Sequence, residues 1–518
     1  MQFNVQKRSL IRPLDILSKW RRNAEYGSIV QECDATMMLQ GTAAGPKKIY
    51  LLPIAVYYFI GCIQYLFIMQ VKNKLNLFSF TMIVVGLVIG MGIFRTAATS
   101  AKDAIAPSVY FSAWFIGGLV AFCGALTYAE IGSRYPVTGG YYKVFAKAYH
   151  PSIAFAINCL ILVSNAASLS GVALIGSGYL LKLFPGTWTD IDKALVSSGA
   201  IIIFYFINLR GLKMSSRAQN ILMLIKITML LLLISALFFP AHYAHEITSA
   251  AQGQTNASAS LPAWIKSLGI SLIGVSFTYG GYQQTINFGN EVKQPAKNIP
   301  RGIFIGIIII IVLYLLVNLS YYNLVGFNRM KGEKEIAYVV IDKVFGTAGA
   351  TIFSAFLFLG VLAYVNGLLM SNPRVMYAMG DDGSLPKIFA KQNEKTSVLT
   401  FSLTVFAAVC IIILFFSQQF EKILTFTIFL DCFGMVLSSA TIFWFRKKTK
   451  HLDDTGIYKM KLYPLLPIIF MAAYLFVGIS ISIADPNAAL TGLAVLAAFV
   501  LIYFISHRKK TPVSITDN

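Results

Sequence analysis

Three glycines, Gly86, Gly90 and Gly92, fall within the apolar stretch VVGLVIGMGIF, Val84 to Phe94. Each interior glycine costs a helix about 1 kcal/mol against alanine, so a helix built only to cross lipid would not carry them. A second stretch, GVSFTYGGYQQTINFGNE, sets Gly280 and Gly281 side by side among Ser276, Thr278, Tyr279, Gln283 and Gln284. The chemistry these residues allow is that of bare backbone. Unwinding a helix frees N–H and C=O groups, which are costly in hydrocarbon unless something binds them. The N-terminus of a half-helix offers donors and a positive dipole end to an anion, and the C-terminus of its partner offers carbonyls to a cation. A zwitterion presents one group to each. GxxxG and GxG also permit close helix packing. Interruption of two spans at matching places favours a ligand site at mid-membrane over packing alone.

One charge stands out from the apolar background. Lys226 lies about ten residues into SRAQNILMLIKITMLLLLISALFF, at a depth of ~15 Å by helix rise. A lysine there costs about 2.5–3.5 kcal/mol on insertion scales, and such residues face protein or a cavity. Snorkelling to the interface is the competing reading.

The elements that must hold these residues are read from composition. The chain has 518 residues, 57% hydrophobic and only 13% charged, against about 25% charged in soluble domains. Apolar runs of span length recur, and they lack the alternation of an outer-membrane barrel. The expected class is an all-α polytopic membrane protein. Twelve core spans are expected at about 77–101, 107–130, 152–181, 194–209, 217–240, 263–289, 302–327, 347–373, 398–416, 422–445, 463–483 and 487–506. Spans one and six, the interrupted ones, open two five-span halves. The formal charge of +21 does not indicate nucleic acid, because the basic residues sit in short loops. Alternate loops differ sharply: Arg134, Lys143, Arg210, Lys213, Lys293, Arg301, Arg374, Arg446 and Lys447 lie on the rich side. That side is expected to be cytoplasmic, with both ends of the core inside the cell membrane.

Residues 49–69 form a further apolar run. It reads as an extra helix, as an interfacial or cleaved segment, or as upstream sequence from a misassigned start. The mature chain is expected to begin near Met69, with 1–69 an atypical extension, 70–510 the core and 511–518 a cytoplasmic tail. Six cysteines show no metal spacing, and His242 and His245 read as loop residues rather than a metal site. No cofactor is expected. H-E-x-x-H, G-x-S-x-G and Walker motifs are all missing from the sequence, which speaks against an enzyme or an ATP-driven pump.

Four stretches resemble the amino acid–polyamine–organocation (APC) transporters, and within them the L-type amino acid permeases. They are GMGIF (Gly90–Phe94), TYAEIGSRYPVTGGYYKVF (Thr127–Phe145), FTYGGYQ with the following NEVKQPAKNIPRGI, and NGLLMSNPRVMYAMGDDGSLPKIF (Asn366–Phe389). The likeness covers about 72–510. It implies a five-plus-five inverted repeat, LeuT-like, with repeats at about 77–240 and 263–445 and two extra helices at about 463–506. It implies sodium-independent secondary transport of neutral L-amino acids, by exchange or proton symport. A non-transporting sensor and a carrier of related amines or polyamines are the alternatives.

By the same resemblance, substrate carboxylate meets the amides of Gly90, Met91 and Gly92. The amino group meets carbonyls near Val88, Ile89, Phe277 and Gly280, and Phe277 closes over the ligand. Thr278, Tyr279 and Tyr282 complete the expected site. Met91 and Tyr282 depart from the family pattern, a small polar residue and a tryptophan. Sodium-independent relatives carry a lysine at the place of Lys226, its ammonium filling the region where coupled relatives bind sodium. Lys226 is expected to bond helix-one carbonyls near Gly86 and polar groups of helix eight, Asn366 or Ser371. Pocket-facing segments read as apolar, with Asn165 and Tyr364 as polar candidates. Glu130 reads as a structural partner more than a coupling group. Arg95 reads equally as a vestibule residue or an interfacial anchor, and Tyr135, Tyr141 and Tyr142 as an aromatic belt. Animal L-type relatives pair with a glycoprotein through a cysteine after helix three. The loop KLFPGTWTD has none, so no disulfide-linked heavy subunit is expected.

Overall fold

The computed structural model describes residues 75–239, 261–333, 335–394, 396–416, 420–449 and 456–507. The N-terminal extension, His242, His245 and the C-terminal tail lie outside these. The described chain is helical throughout, joined by short loops. Helices α1 (Leu77–Val88) and α2 (Gly92–Asp103) are followed by α3 (Pro107–Arg134), α4 (Gly140–Ala148) and α5 (Pro151–Leu181). Next come α6 (Asp190–Leu209), α7 (Leu212–Ser235), α8 (Leu261–Tyr279) and α9 (Pro295–Val325). Helix α10 (Ile336–Asp381) leads to α11 (Thr400–Phe416), α12 (Phe420–Lys448), α13 (Leu465–Ala484) and α14 (Pro486–His507).

Local chemistry sets the helix starts. Asn76 accepts the Ser79 N–H at 2.7 Å and caps α1, supplying one orphan donor with a partner. Proline opens α3, α5 and α9, where its missing N–H costs nothing. Thr189 and Asp192 close a capping box on α6. Within α10, Gly346 takes φ 71° and bends the rod. This explains why the membrane portion begins near 347 although helix extends back to Ile336.

Among the described residues, ten helical segments are long and apolar enough to cross a membrane. Helices α6 and α11 are not among them: α6 carries Asp190 and Asp192 in its first turn, and α11 has only 17 residues. Many large apolar side chains, such as Phe115, Leu119, Ile203, Ile305, Leu475 and Ile479, face outward. Water would not tolerate that much exposed apolar surface, but lipid does.

The aromatic-belt expectation fails for two of its three tyrosines. Tyr141 and Tyr142 are buried in α4: the Tyr141 hydroxyl donates to Ser438 at 3.3 Å, and Tyr142 pairs with Ser384 at 2.8 Å. Helix α4 is amphipathic, and it tucks its tyrosine face against α5 and α12 rather than presenting it to headgroups.

Glu130, fully buried near the end of α3, accepts from Arg446 at 2.8 and 2.7 Å, from Arg134 at 2.8 Å and from the Met460 N–H at 2.9 Å. The carboxylate thus ties α3 to the end of α12 and to the chain entering α13. Removing one side of such a pair strands the other charge. Glu130→Ala is expected to destabilise the fold by about 3–5 kcal/mol, read as a lowered melting temperature in detergent.

Candidate substrate site

Two of the crossing segments are broken. The chain leaves helix at Ile89, passes Gly90 and Met91, and resumes at Gly92. Helix α8 stops at Tyr279, passes Gly280 and Gly281, and continues as a 3-10 turn, Tyr282–Asn287. The breaks interlock. Helix α2 packs along α8, and α1 packs against the 3-10 turn. A Cβ on Gly92 would stand 2.5 Å from Thr278 Oγ1. Gly281 takes φ +114°, and a Cβ there would drive into the Leu87 carbonyl. Only glycine permits both the turn and the approach. Gly86, in contrast, lies inside α1 against Gln219 of α7. It is a packing glycine, and the interruption begins after it.

Backbone groups at the breaks are partly used. The Gly90 N–H donates to Val88 O at 2.8 Å, and the Gly280 N–H to Phe277 O at 3.2 Å. Tyr314 Oη donates to Thr278 O at 3.2 Å and Val88 O at 3.4 Å, stitching the two breaks together. The first amides of α2 have no intrahelical i−4 acceptor by helix geometry.

Lys226 is fully buried, and its ammonium donates to Ile89 O, the last carbonyl before the break. It does not snorkel. Its acceptor is a carbonyl of the first span, as expected, three residues beyond Gly86, but the expected polar partners on α10 are not the ones it meets. Gly86 is occupied by Gln219, and Lys226 meets helix α10 at Gly360 rather than at Asn366 or Ser371. Asn366 belongs to a separate network: it accepts from Asn208 at 2.9 Å and donates to Gln219 Oε1 at 2.8 Å and to Ser215 O at 3.0 Å. Ser371 accepts from Asn287 at 3.0 Å and donates to Gln284 O at 3.2 Å, fastening the exit of the second break to α10. Asn366 is more than a full helical turn from Gly360, which puts it beyond a lysine held at Ile89.

A narrow cleft lies between the breaks and helices α5, α10, α12 and α13. Val88, Gly90, Gly92, Phe277, Thr278 and Gly280 line it, as do Asn165 and Tyr364. Ile89, Met91, Tyr279 and Tyr282 do not. Tyr279 packs on Trp114 and Tyr314, and Tyr282 on Tyr128, so both support the wall from behind. The expectation of an apolar pocket needs correction, because Ser168, Gln283, Gln284 and Asp431 also face the cleft. Asp431 is the residue that sequence reasoning missed. A lone carboxylate in the apolar run TFTIFLDCFGMV carries the same signal as Lys226.

Paired broken helices around one polar cleft, in an all-helical membrane protein, define a solute carrier. Sequence comparison agrees with the geometry: the profile of the amino acid permease family matches residues 75–506, and the chain belongs to that family. It is 25% identical to the serine/threonine exchanger SteT of Bacillus subtilis over 448 residues, 85% of this chain and 98% of that protein. It is 29% identical to the methylthioribose transporter of Bacillus subtilis over 336 residues, 62% of this chain and 70% of the relative. The human large neutral amino acids transporter small subunit 2 is 24% identical over 443 residues, 84% of this chain and 80% of the relative. The protein is an amino acid transporter of the APC family, a multi-pass membrane protein and not an enzyme.

Proposed function

We propose that the chain is a sodium-independent secondary transporter of neutral L-amino acids in the cell membrane, working by alternating access as an exchanger or a proton symporter. Its twelve spans would form two inverted five-helix repeats and a final pair, with both ends of the core cytoplasmic and no disulfide-linked heavy subunit. One observation supports the reading: residues of both breaks, Val88, Gly90 and Gly92 with Phe277, Thr278 and Gly280, line one cleft. An α-carboxylate and an α-amino group have the charges that the helix ends at these breaks accept. The names of the serine/threonine exchanger and the large neutral amino acids transporter point to the same substrate class.

Sodium independence follows from Lys226. Its ammonium takes Ile89 O, an acceptor that a metal cation would otherwise need, and leaves the other carbonyls of the two breaks to the substrate. In proteoliposomes, replacing sodium by choline is expected to leave the initial rate of amino acid uptake unchanged within about twofold, well under the ~1.4 kcal/mol that a tenfold change represents. Uptake that collapses without sodium refutes the proposal. Running the same vesicles with and without internal substrate, and with and without a pH gradient, separates exchange from proton symport.

A further inference from the structure

Asp431 comes from α12, an element separate in sequence from both breaks, and lines the same cleft as the break residues. It is only partly buried, and the cleft is the space it borders. Ser164 Oγ donates to its Oδ1 at 2.7 Å. Among the described residues, Oδ2 receives no hydrogen bond and no lysine or arginine pairs with it. Of the other polar groups in the lining, Asn165 donates to Asn372 at 2.7 Å and Ser168 pairs with Tyr364 at 2.7 Å, while Gln284 accepts from Asn287 at 3.1 Å and its Nε2 has no acceptor among the described residues. A carboxylate has about four acceptor positions, and this one uses a single position in a low-dielectric cleft. An acceptor left without a donor there is costly. Apolar Ile428, Met435 and Leu368 line the cleft as well, so a group that reached Asp431 would have apolar neighbours.

We propose that Asp431 reads the substrate side chain, and that the preferred substrates end there in a hydrogen-bond donor, a hydroxyl or an ammonium. The inference rests on the transport reading above: a hydroxyl narrows it within the neutral amino acids, and an ammonium extends it to cationic ones. A leucine-like side chain would bury Oδ2 without a partner, whereas a hydroxyl or ammonium would satisfy it. Sites that hydrogen-bond a substrate group reject the analogue lacking it more strongly than apolar pockets reject an extra methylene.

The test uses isosteric competitor pairs against labelled amino acid uptake by the full chain in proteoliposomes. Threonine against valine probes the hydroxyl, and lysine against norleucine probes the ammonium. The wild type is expected to favour the donor-bearing member of at least one pair by roughly tenfold or more. Asp431→Leu should erase that ratio while uptake continues. Asp431→Asn should keep a hydroxyl preference, since the amide oxygen still accepts, and lose an ammonium preference. A merely structural Asp431 would alter melting temperature and leave the ratio alone. Equal competition within both pairs by the wild type overturns the proposal, as does an unchanged ratio in Asp431→Leu. Should that variant fail to fold, the wild-type ratios decide alone. Absence of any amino acid flux by the wild type refutes the transport reading first and this inference with it.

Discussion

Lys226→Met is expected to lower the initial rate of amino acid uptake by about 10- to 100-fold with the protein still folded and inserted. The argument starts from one hydrogen bond. Ile89 O is the last carbonyl of α1, and the chain unwinds immediately after it. Helix ends leave such carbonyls without internal partners, and water does not reach one at mid-membrane. The Lys226 ammonium is the donor that meets it. A hydrogen bond to a charged group contributes about 1.5–3 kcal/mol, and about 1.4 kcal/mol is tenfold. Methionine keeps the length and apolar stem of lysine, so the packing against Gly360, 3.5 Å from Lys226 Cε to a Cβ built there, is largely preserved. What is lost is the fixed geometry of the break. The measurement is uptake normalised to reconstituted protein, beside a melting curve. A Met variant that transports at the wild-type rate contradicts the assigned role.

Gly281→Ala is expected to abolish transport, lowering it by more than about 100-fold, and to destabilise the protein. Two costs combine. At φ +114° a side chain meets its own backbone, a strain of about 1–3 kcal/mol. The added Cβ also points into the carbonyl of Leu87, a backbone atom that cannot swing aside. Relief requires α1 and the 3-10 turn to separate, which dismantles the cleft. Two comparisons isolate the effect. A Cβ on Gly178 would meet nothing within 4 Å, so Gly178→Ala should be silent or slightly stabilising. At Gly90 it would meet Tyr364 at an ordinary 3.5 Å, so Gly90→Ala should be far milder than Gly281→Ala. Equal loss in all three would point to a general intolerance of side chains rather than to the interlocked breaks.

Much of the architecture was legible because bilayer physics leaves so strong a mark. Span-length apolar runs and glycines at the two interruptions each follow from a single local requirement. Helix ends were less so: α9 and α10 run beyond their apolar segments, because the helix continues into polar sequence. Lys226 announced itself as a charge in hydrocarbon, but its partner did not. Whether an ammonium reaches Gly86, Ile89 or Asn366 depends on helix rotation, and a single sequence does not encode that in any local pattern. Tyr279 and Tyr282 sat in the right motif, yet helical geometry at the break turned both rings away from the cleft. Asp431 was as visible as Lys226 in composition and went unweighed because no motif surrounded it. Tyr141 and Tyr142 misled for a related reason: an interfacial tyrosine and a tyrosine buried by a short amphipathic helix look alike before the tertiary packing is known.

The most direct measurement is an experimental density map of the protein with an amino acid bound. The account predicts the substrate carboxylate within hydrogen-bonding distance of the Gly90–Gly92 amides, its amino group on carbonyls of the two broken spans, and Lys226 on Ile89 O. A map with residues 84–94 and 274–284 as unbroken helix, or with the amino acid seated elsewhere, would contradict it.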